Sequence, residues 1–174
     1  MLDESLKSEF VKFQDVLANL AEETREELVV VTARIDELNT LLQSEEMHAD
    51  RSENASFEIA KDERDTKVTI QALKQKRLTT IETEAGGEYV PLGFIQLGSI
   101  VELTLLSISG DAPDQKKNTK FIIKLVSHEI GKPKVGLVAI DSKVGTALLQ
   151  HKAGDIIETS APKGKVKYKI ERIY

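Results

Sequence analysis

The sequence lacks cysteine and tryptophan, and neither glycine nor proline occurs before Gly86. Without cysteine, the chain has no disulfide framework and no thiolate metal site. No apolar run approaches the roughly 20 residues of a transmembrane helix, and the charged N-terminus MLDESLKSEF has no signal-peptide core. We therefore expect a protein of the reducing cytoplasm that is neither exported nor inserted into a membrane.

The net charge of −5 conceals opposite charges on the two halves of the chain. Residues 1–85 contain 20 acidic and 11 basic side chains, whereas residues 86–174 contain 9 acidic and 13 basic ones. Non-specific affinity for nucleic acid comes from lysine and arginine, which neutralise phosphates. The acidic half is therefore a poor candidate for wrapping duplex DNA, and a solvated helical surface is the simpler interpretation.

Apolar positions in the first 42 residues recur at steps of three and four, a pattern typical of a helix that packs lengthwise on another. A four-residue step from Thr24 to Leu28 breaks the heptad as a stutter does. A helix from about residue 4 to 45 is roughly 60 Å long and needs a partner to bury its stripe. The stripe consists of Leu6, Phe10, Phe13, Leu17, Leu20, Leu28, Val31, Ile35, Leu38 and Leu42.

Residues 54–81 supply that partner, with a weaker apolar seam at Ile59, Thr66, Ile70 and Leu73. Two long helices joined by a short polar connection pack side by side. The sequence therefore predicts an antiparallel coiled-coil hairpin whose acidic tip, at about residues 45–54, extends roughly 40 Å beyond its base.

A glycine pair and a proline within residues 82–93 end the helical pattern. We expect a helical hairpin at 1–83, a linker at 84–92 and a small α+β domain at 93–174. The domain is predicted to be an antiparallel sheet covered by a brief helix at residues 145–151. Its five candidate strands are residues 100–108, 120–127, 135–141, 155–160 and 166–173.

Two tip carboxylates, Asp50 and Glu53, are candidate metal ligands, because side chains three residues apart at a helix start lie on one side of its first turn. An aspartate at the N-cap with a glutamate three positions later is also a capping box. From these two residues alone, capping is the more ordinary interpretation.

The string D-x-x-E-N-A at the tip, with His48 two residues upstream, resembles the tip of the bacterial Gre-type transcription elongation factors, the GreA/GreB family. The resemblance continues through IDSKVGTALL at residues 140–149. It then takes in Gly154-Asp155, Pro162, Gly164 and Tyr168-Lys169-Ile170. Each motif is weak singly, but their order on this architecture is fairly specific.

The resemblance implies that the C-terminal domain has an FKBP-like fold and docks on the secondary-channel rim of bacterial RNA polymerase through Asp141, Ser142, Lys143, Val144 and Gly145. It also implies that the hairpin enters the channel. There, the two tip carboxylates would help coordinate the catalytic Mg²⁺ of the polymerase during cleavage of backtracked RNA. On this hypothesis the isolated chain is a monomer, is not an enzyme and holds no cofactor of its own.

A basic row early in the second helix, Lys61, Arg64 and Lys67, is a candidate contact for the nascent RNA 3′ end. The acidic residues between them make an ordinary salt-bridged helix face at least as good an interpretation.

Two departures from the family pattern bear on the site. Lys143 stands where the family commonly has proline, so it permits another loop shape and adds a charge. Ala49 replaces a common tip glycine, which would reshape the tip if that position requires a positive φ.

Three other functions compete with transcript cleavage. A tip richer in acidic residues would favour a Gre-like paralogue that blocks the channel, and Glu45 and Glu46 add acidic residues there. An FKBP-type prolyl isomerase would need an aromatic-lined pocket, which the scarcity of aromatic residues disfavours. An oligomerising coiled coil would leave its seams unpaired within one chain.

Overall fold

The computed structural model describes residues 4–48, 55–86, 93–108, 118–161 and 164–174. Two long helices, α1 (Glu4–His48) and α2 (Ala55–Gly86), precede a five-stranded sheet and one short helix. These are β1 (Ile100–Ile108), β2 (Lys120–Val126), β3 (Leu137–Ala139), α3 (Lys143–Leu148), β4 (Ile156–Ala161) and β5 (Gly164–Ile173). The predicted fold class, a helical hairpin followed by a β domain with a short helix, is confirmed.

The chain divides into two compact units, and the division cuts through both long helices. One unit runs from Ala18 to Glu82 and contains most of the hairpin. The other combines the start of α1, up to Leu17, with the chain from Thr83 onward. The first turns of α1 and the last turn of α2 therefore belong to the same unit as the sheet.

The α1 seam is largely where the sequence placed it, but the predicted face of α2 is wrong. Ile59 is 69% exposed and Leu73 is 63% exposed. Of the predicted seam only Ile70 is partly buried, and the other buried or partly buried positions include a heptad series: Phe57, Ala60, Arg64, Lys67, Gln71, Lys74, Leu78 and Ile81. The middle of this seam is polar, and long side chains there can pack their aliphatic stems between the helices and pair their polar ends. A search for apolar spacing therefore selects another face.

The sheet has the strand order β3-β2-β1-β5-β4. Strand β1 pairs antiparallel with β2 and β5, and β4 pairs antiparallel with β5. Strand β3 departs from the predicted antiparallel pattern, because it pairs parallel with β2. A crossover through two short 3-10 helices, His128–Ile130 and Pro133–Val135, returns the chain so that β3 enters the edge in the same direction as β2.

The core of the β domain lies between the sheet and α3. Leu148 of α3 is fully buried, and Ala147 and Leu149 pack against the same cluster, as expected from the sequence. The sheet contributes alternate residues such as Val101 and Leu103 of β1 and Ile170 of β5. This packing fixes α3, and with it the loop that precedes α3.

The last turn of α2 contains no basic residue, and two side chains from elsewhere complete it. Lys124 of β2 donates its Nζ proton to the Glu84 carbonyl over 3.3 Å, and Gln14 of α1 donates to the Ala85 carbonyl over 3.2 Å. Terminal helix carbonyls have no intrahelical donors, and a cation near them is favourable. Both side chains therefore supply the hydrogen-bond donors that the last turn of α2 lacks.

The Glu84 carboxylate lies at the same junction. Its Oε1 accepts a hydrogen bond from the Ser127 N–H over 2.8 Å. Its Oε2 is buried without a hydrogen-bond partner among the described residues. Lys124 is only 7% exposed, and burial lowers the pKa of its ammonium while nearby Glu84 opposes that shift. The two charges compensate each other where neither is well solvated.

Replacing Lys124 with methionine tests this junction. Lys124→Met leaves the Glu84 carboxylate and carbonyl without a cation, so the free energy of unfolding should fall by about 1–3 kcal/mol in chemical denaturation. Glu84→Gln in that background removes the isolated charge and keeps an acceptor for Ser127, and should recover part of the loss. Lys120→Met, at the exposed end of the same strand, is the control. A Lys124→Met protein as stable as the parent would contradict the compensation.

Candidate functional site

The predicted tip carboxylates Asp50 and Glu53, together with Ala49, lie outside the described residues. Helix α1 ends at His48 and α2 begins at Ala55, so the helical segments bracket the tip as the sequence predicts. Within the described ranges, no three His, Asp or Glu side chains are grouped to hold a metal ion. The metal role of the tip stays a prediction.

The hairpin that carries the tip is cross-linked by polar contacts. Arg34 of α1 binds both carboxylate oxygens of Glu63 on α2, at 2.9 and 3.0 Å, and this lowers the pKa of Glu63. Three further links join Thr32 to Gln71 at 2.8 Å, Glu27 to Lys74 at 2.5 Å and Arg25 to Glu82 at 2.7 Å. Each exposed pair contributes little alone, but together they fix the register of the antiparallel helices.

The three predicted RNA contacts differ in their exposure. Lys61 is exposed, and its Nζ lies 3.9 Å from Glu58. Arg64 and Lys67 occupy seam positions, and Arg64 donates to Asp65 Oδ1 over 2.6 and 3.0 Å. Lys61 is thus the most exposed of the three, and RNA contact by this row stays a prediction.

The predicted docking loop, Asp141 to Gly145, is built around the start of α3. Ser142 is the N-cap, and its Oγ accepts a hydrogen bond from the Gly145 N–H over 3.0 Å. Gly145 is buried, and a Cβ there would lie 2.1 Å from the Ala139 carbonyl oxygen. Val144 packs against the core. Three of the five residues therefore shape the loop, which leaves Asp141 and Lys143 exposed.

Lys143, the departure from the family's proline, preserves the loop geometry. It is the first helical residue of α3, where proline is favoured because that N–H has no intrahelical partner. The preceding Ser142 has φ −67° and ψ 161°, the extended conformation that a residue before proline adopts. Lysine thus changes the charge of the loop, while the backbone before it keeps the extended conformation that proline would require.

A shallow groove runs between α3 and the β4–β5 hairpin. All of its lining residues except Ala147 are polar or charged, and none is aromatic: Asp141, Lys143, Thr146, Ala147, Glu158, Thr159, Ser160 and Lys165. The Glu158 carboxylate lies 2.8 Å from Lys165 and 3.5 Å from Lys167, and hydrogen bonding to Lys165 lowers its pKa. Such a lining does not suit the apolar ligand of a prolyl isomerase.

Comparison with known proteins identifies this architecture. Residues 91–174, which include the docking loop, match the family described as "Transcription elongation factor, GreA/GreB, C-term". The chain is 27% identical over 168 residues to transcription elongation factor GreA of Chloroherpeton thalassium, covering 96% of this chain and 93% of the relative. It is 28% identical to GreA of Thermomicrobium roseum, covering 81% and 83%.

Residues 91–174 thus belong to the GreA/GreB C-terminal family, and the chain as a whole is similar to Gre-type transcription elongation factors. These matches agree with the resemblance that the sequence motifs carry. Among solved structures, GreA factor homolog 1 (Gfh1) of Thermus thermophilus is 24% identical, with 88% of this chain and 94% of that chain covered and a TM-score of 0.38. In the part of this Gre-type chain that the structure describes, no helix is long and apolar enough to cross a membrane.

One residue beside the docking loop was not found from the sequence. His128 Nδ1 lies 2.6 Å from Asp141 Oδ2, although the two residues are well separated along the chain. The parallel β2–β3 pairing brings them together, and no local spacing or motif signals a parallel crossover of this kind. The predicted docking surface therefore extends beyond the loop motif.

Gly145→Ala tests whether the docking loop depends on close backbone packing. The added Cβ would collide with the Ala139 carbonyl, so we expect the unfolding free energy to fall by about 2–3 kcal/mol. Gly86→Ala is the matched control, because a Cβ at Gly86 meets nothing within 4 Å. Equal stability of the two variants in urea denaturation would refute the packing argument.

The Arg34–Glu63 link predicts a pH dependence of hairpin stability. Because Arg34 lowers the folded-state pKa of Glu63, the stabilisation is present above the ordinary glutamate pKa and is lost as the pH falls through the lowered one. Glu63→Gln should therefore lower the melting temperature at neutral pH and lose less stability on acidification toward about pH 2. Glu37→Gln is the control, since Glu37 pairs with Arg34 only within α1. Circular dichroism melts would detect either result, and parallel pH profiles for parent and Glu63→Gln would rule out the effect.

Proposed function

We propose that this Gre-family factor binds bacterial RNA polymerase and stimulates cleavage of backtracked RNA by the polymerase active site. The observation that carries the proposal is a GreA/GreB-type C-terminal domain joined to a cross-linked helical hairpin, with two carboxylates in the segment that connects its helices. The GreA relative matches 96% of the chain, so the correspondence extends over the hairpin as well as the β domain.

Docking is assigned to the loop from Asp141 to Gly145. Ser142 and Gly145 hold the loop in one backbone conformation, and Thr159 Oγ1 of β4 donates to the Lys143 carbonyl over 3.0 Å. The exposed side chains of the loop carry one negative and one positive charge, those of Asp141 and Lys143. A preformed loop loses little conformational entropy on binding, which favours a specific contact with the channel rim.

The hairpin is the part that would enter the secondary channel. Its polar cross-links keep the two helices in register along α2 from Glu63 to Glu82. Helices that do not slide past each other suit an arm that brings catalytic groups to an active site, which is the positional part of catalysis.

At the tip, Asp50 and Glu53 would supply carboxylate oxygens, the hard ligands that Mg²⁺ prefers. Mg²⁺ bound by the polymerase activates water and stabilises the leaving oxygen in two-metal RNA cleavage. The role of the two carboxylates is to complete its coordination and to orient the attacking water. Two carboxylates are too few to hold the ion alone, so we expect no nuclease activity without polymerase.

A second candidate function is inhibition of transcription by occupying the same channel. Its support is the additional negative charge of Glu45 and Glu46, which lie in the last turn of α1 beside the tip. The same docking loop and hairpin would serve either function, so the activity of the tip has to be measured.

The decisive experiment adds the protein and Mg²⁺ to a stalled, backtracked elongation complex of the cognate polymerase and follows RNA length. The parent should shorten RNA from its 3′ end, and Asp50→Asn or Glu53→Gln should slow this by at least about tenfold without weakening binding. Glu58→Gln, an exposed acidic residue in the first turn of α2, is the control and should cleave like the parent.

Two other outcomes would overturn the cleavage proposal. If parent and tip variants alike slow nucleotide addition without shortening RNA, the protein is an inhibitor. If purified protein cuts RNA without polymerase, the shared-site mechanism is wrong.

A further inference from the structure

The contact between His128 and Asp141 brings a second residue to the docking loop. Nδ1 of His128 lies 2.6 Å from Oδ2 of Asp141, and the side chains are 76% and 55% exposed. At this distance the imidazole donates a charge-assisted hydrogen bond, either as the neutral Nδ1–H tautomer or as imidazolium. Any macromolecule that covers Asp141 therefore also meets His128.

The sheet fixes this juxtaposition. Val126 and Ala139 are the last paired residues of the parallel β2–β3 ladder, and His128 and Asp141 each lie two residues beyond them. The Ile140 N–H donates to the Val126 carbonyl over 2.8 Å, and the Ser142 N–H donates to the Ala139 carbonyl over 3.0 Å. Both side chains thus leave a rigid, hydrogen-bonded edge.

The carboxylate of Asp141 is not used to start α3. Capping is done by Ser142, whose Oγ accepts from Gly145. An exposed ion pair contributes little to stability, so the hydrogen bond from His128 has its main effect on where the carboxylate points. The imidazole engages Oδ2, and the carboxylate has a second oxygen, Oδ1, that can accept from a donor on the partner.

We propose that His128 is a positioning residue of the docking surface, which orients the Asp141 carboxylate toward a cationic or N–H donor on RNA polymerase. The inference rests on the proposed function, because it takes the loop to be the docking site. It adds a residue outside the loop and assigns a chemical class to the polymerase group opposite Asp141.

Three substitutions of His128 separate orientation from bulk or charge. His128→Asn keeps a side-chain donor near the position of Nδ1, His128→Gln moves the donor to about the position of Nε2, and His128→Ala removes it. The affinity for polymerase should fall about two- to fivefold for the alanine variant, stay close to the parent for asparagine and be intermediate for glutamine. Lys134→Ala, an exposed residue of the neighbouring 3-10 helix, should bind like the parent.

A double-mutant cycle with Asp141→Ala completes the test, with dissociation constants measured by competition against labelled parent protein. If His128 acts through Asp141, His128→Ala should cause no further loss in the Asp141→Ala background. An equal loss in both backgrounds, or an asparagine variant as weak as alanine, would overturn the positioning role while leaving the docking loop intact. If Asp141→Ala itself binds normally, the loop is not the docking site, and the docking step of the proposed function fails with it.

Discussion

The junction of helices and sheet depends on one requirement: the last carbonyl groups of α2 need hydrogen-bond donors from outside the helix. A helix cannot satisfy its own last carbonyls, and α2 has no basic residue in its final turn. Gln14 and Lys124 supply the donors from α1 and β2. This arrangement binds one end of each long helix into the unit that contains the sheet, through part-buried polar contacts.

The sequence predicted elements with a strong local signal and failed where a neighbour decides the structure. Strand β1 has the bounds expected from alternation, and α1 extends only three residues past its predicted end. The face of α2 was misjudged because Arg64, Lys67, Gln71 and Lys74 fill its seam. The direction of β3 was misjudged because a parallel partner requires a crossover, and short 3-10 helices leave no distinctive periodicity.

The site shows the same division. The loop from Asp141 to Gly145 was predicted from its resemblance to the family motif, and the structure shows how its capping serine and its buried glycine shape it. Its docking role stays a prediction. His128 was missed because its role depends on the sheet pairing that brings it to Asp141. Lys143 permits another loop shape than proline would, yet Ser142 keeps the extended backbone that a residue before proline adopts.

The polar middle of the hairpin seam means that its two ends carry most of the apolar packing. Leu38, Leu42 and Ala60 form a cluster at one end, and Leu78 and Ile81 are buried at the other. Between them, an open groove exposes apolar surface of Val29 and Val68. We therefore expect local opening of the hairpin to occur at the polar contacts in its middle, while the apolar contacts at both ends stay closed.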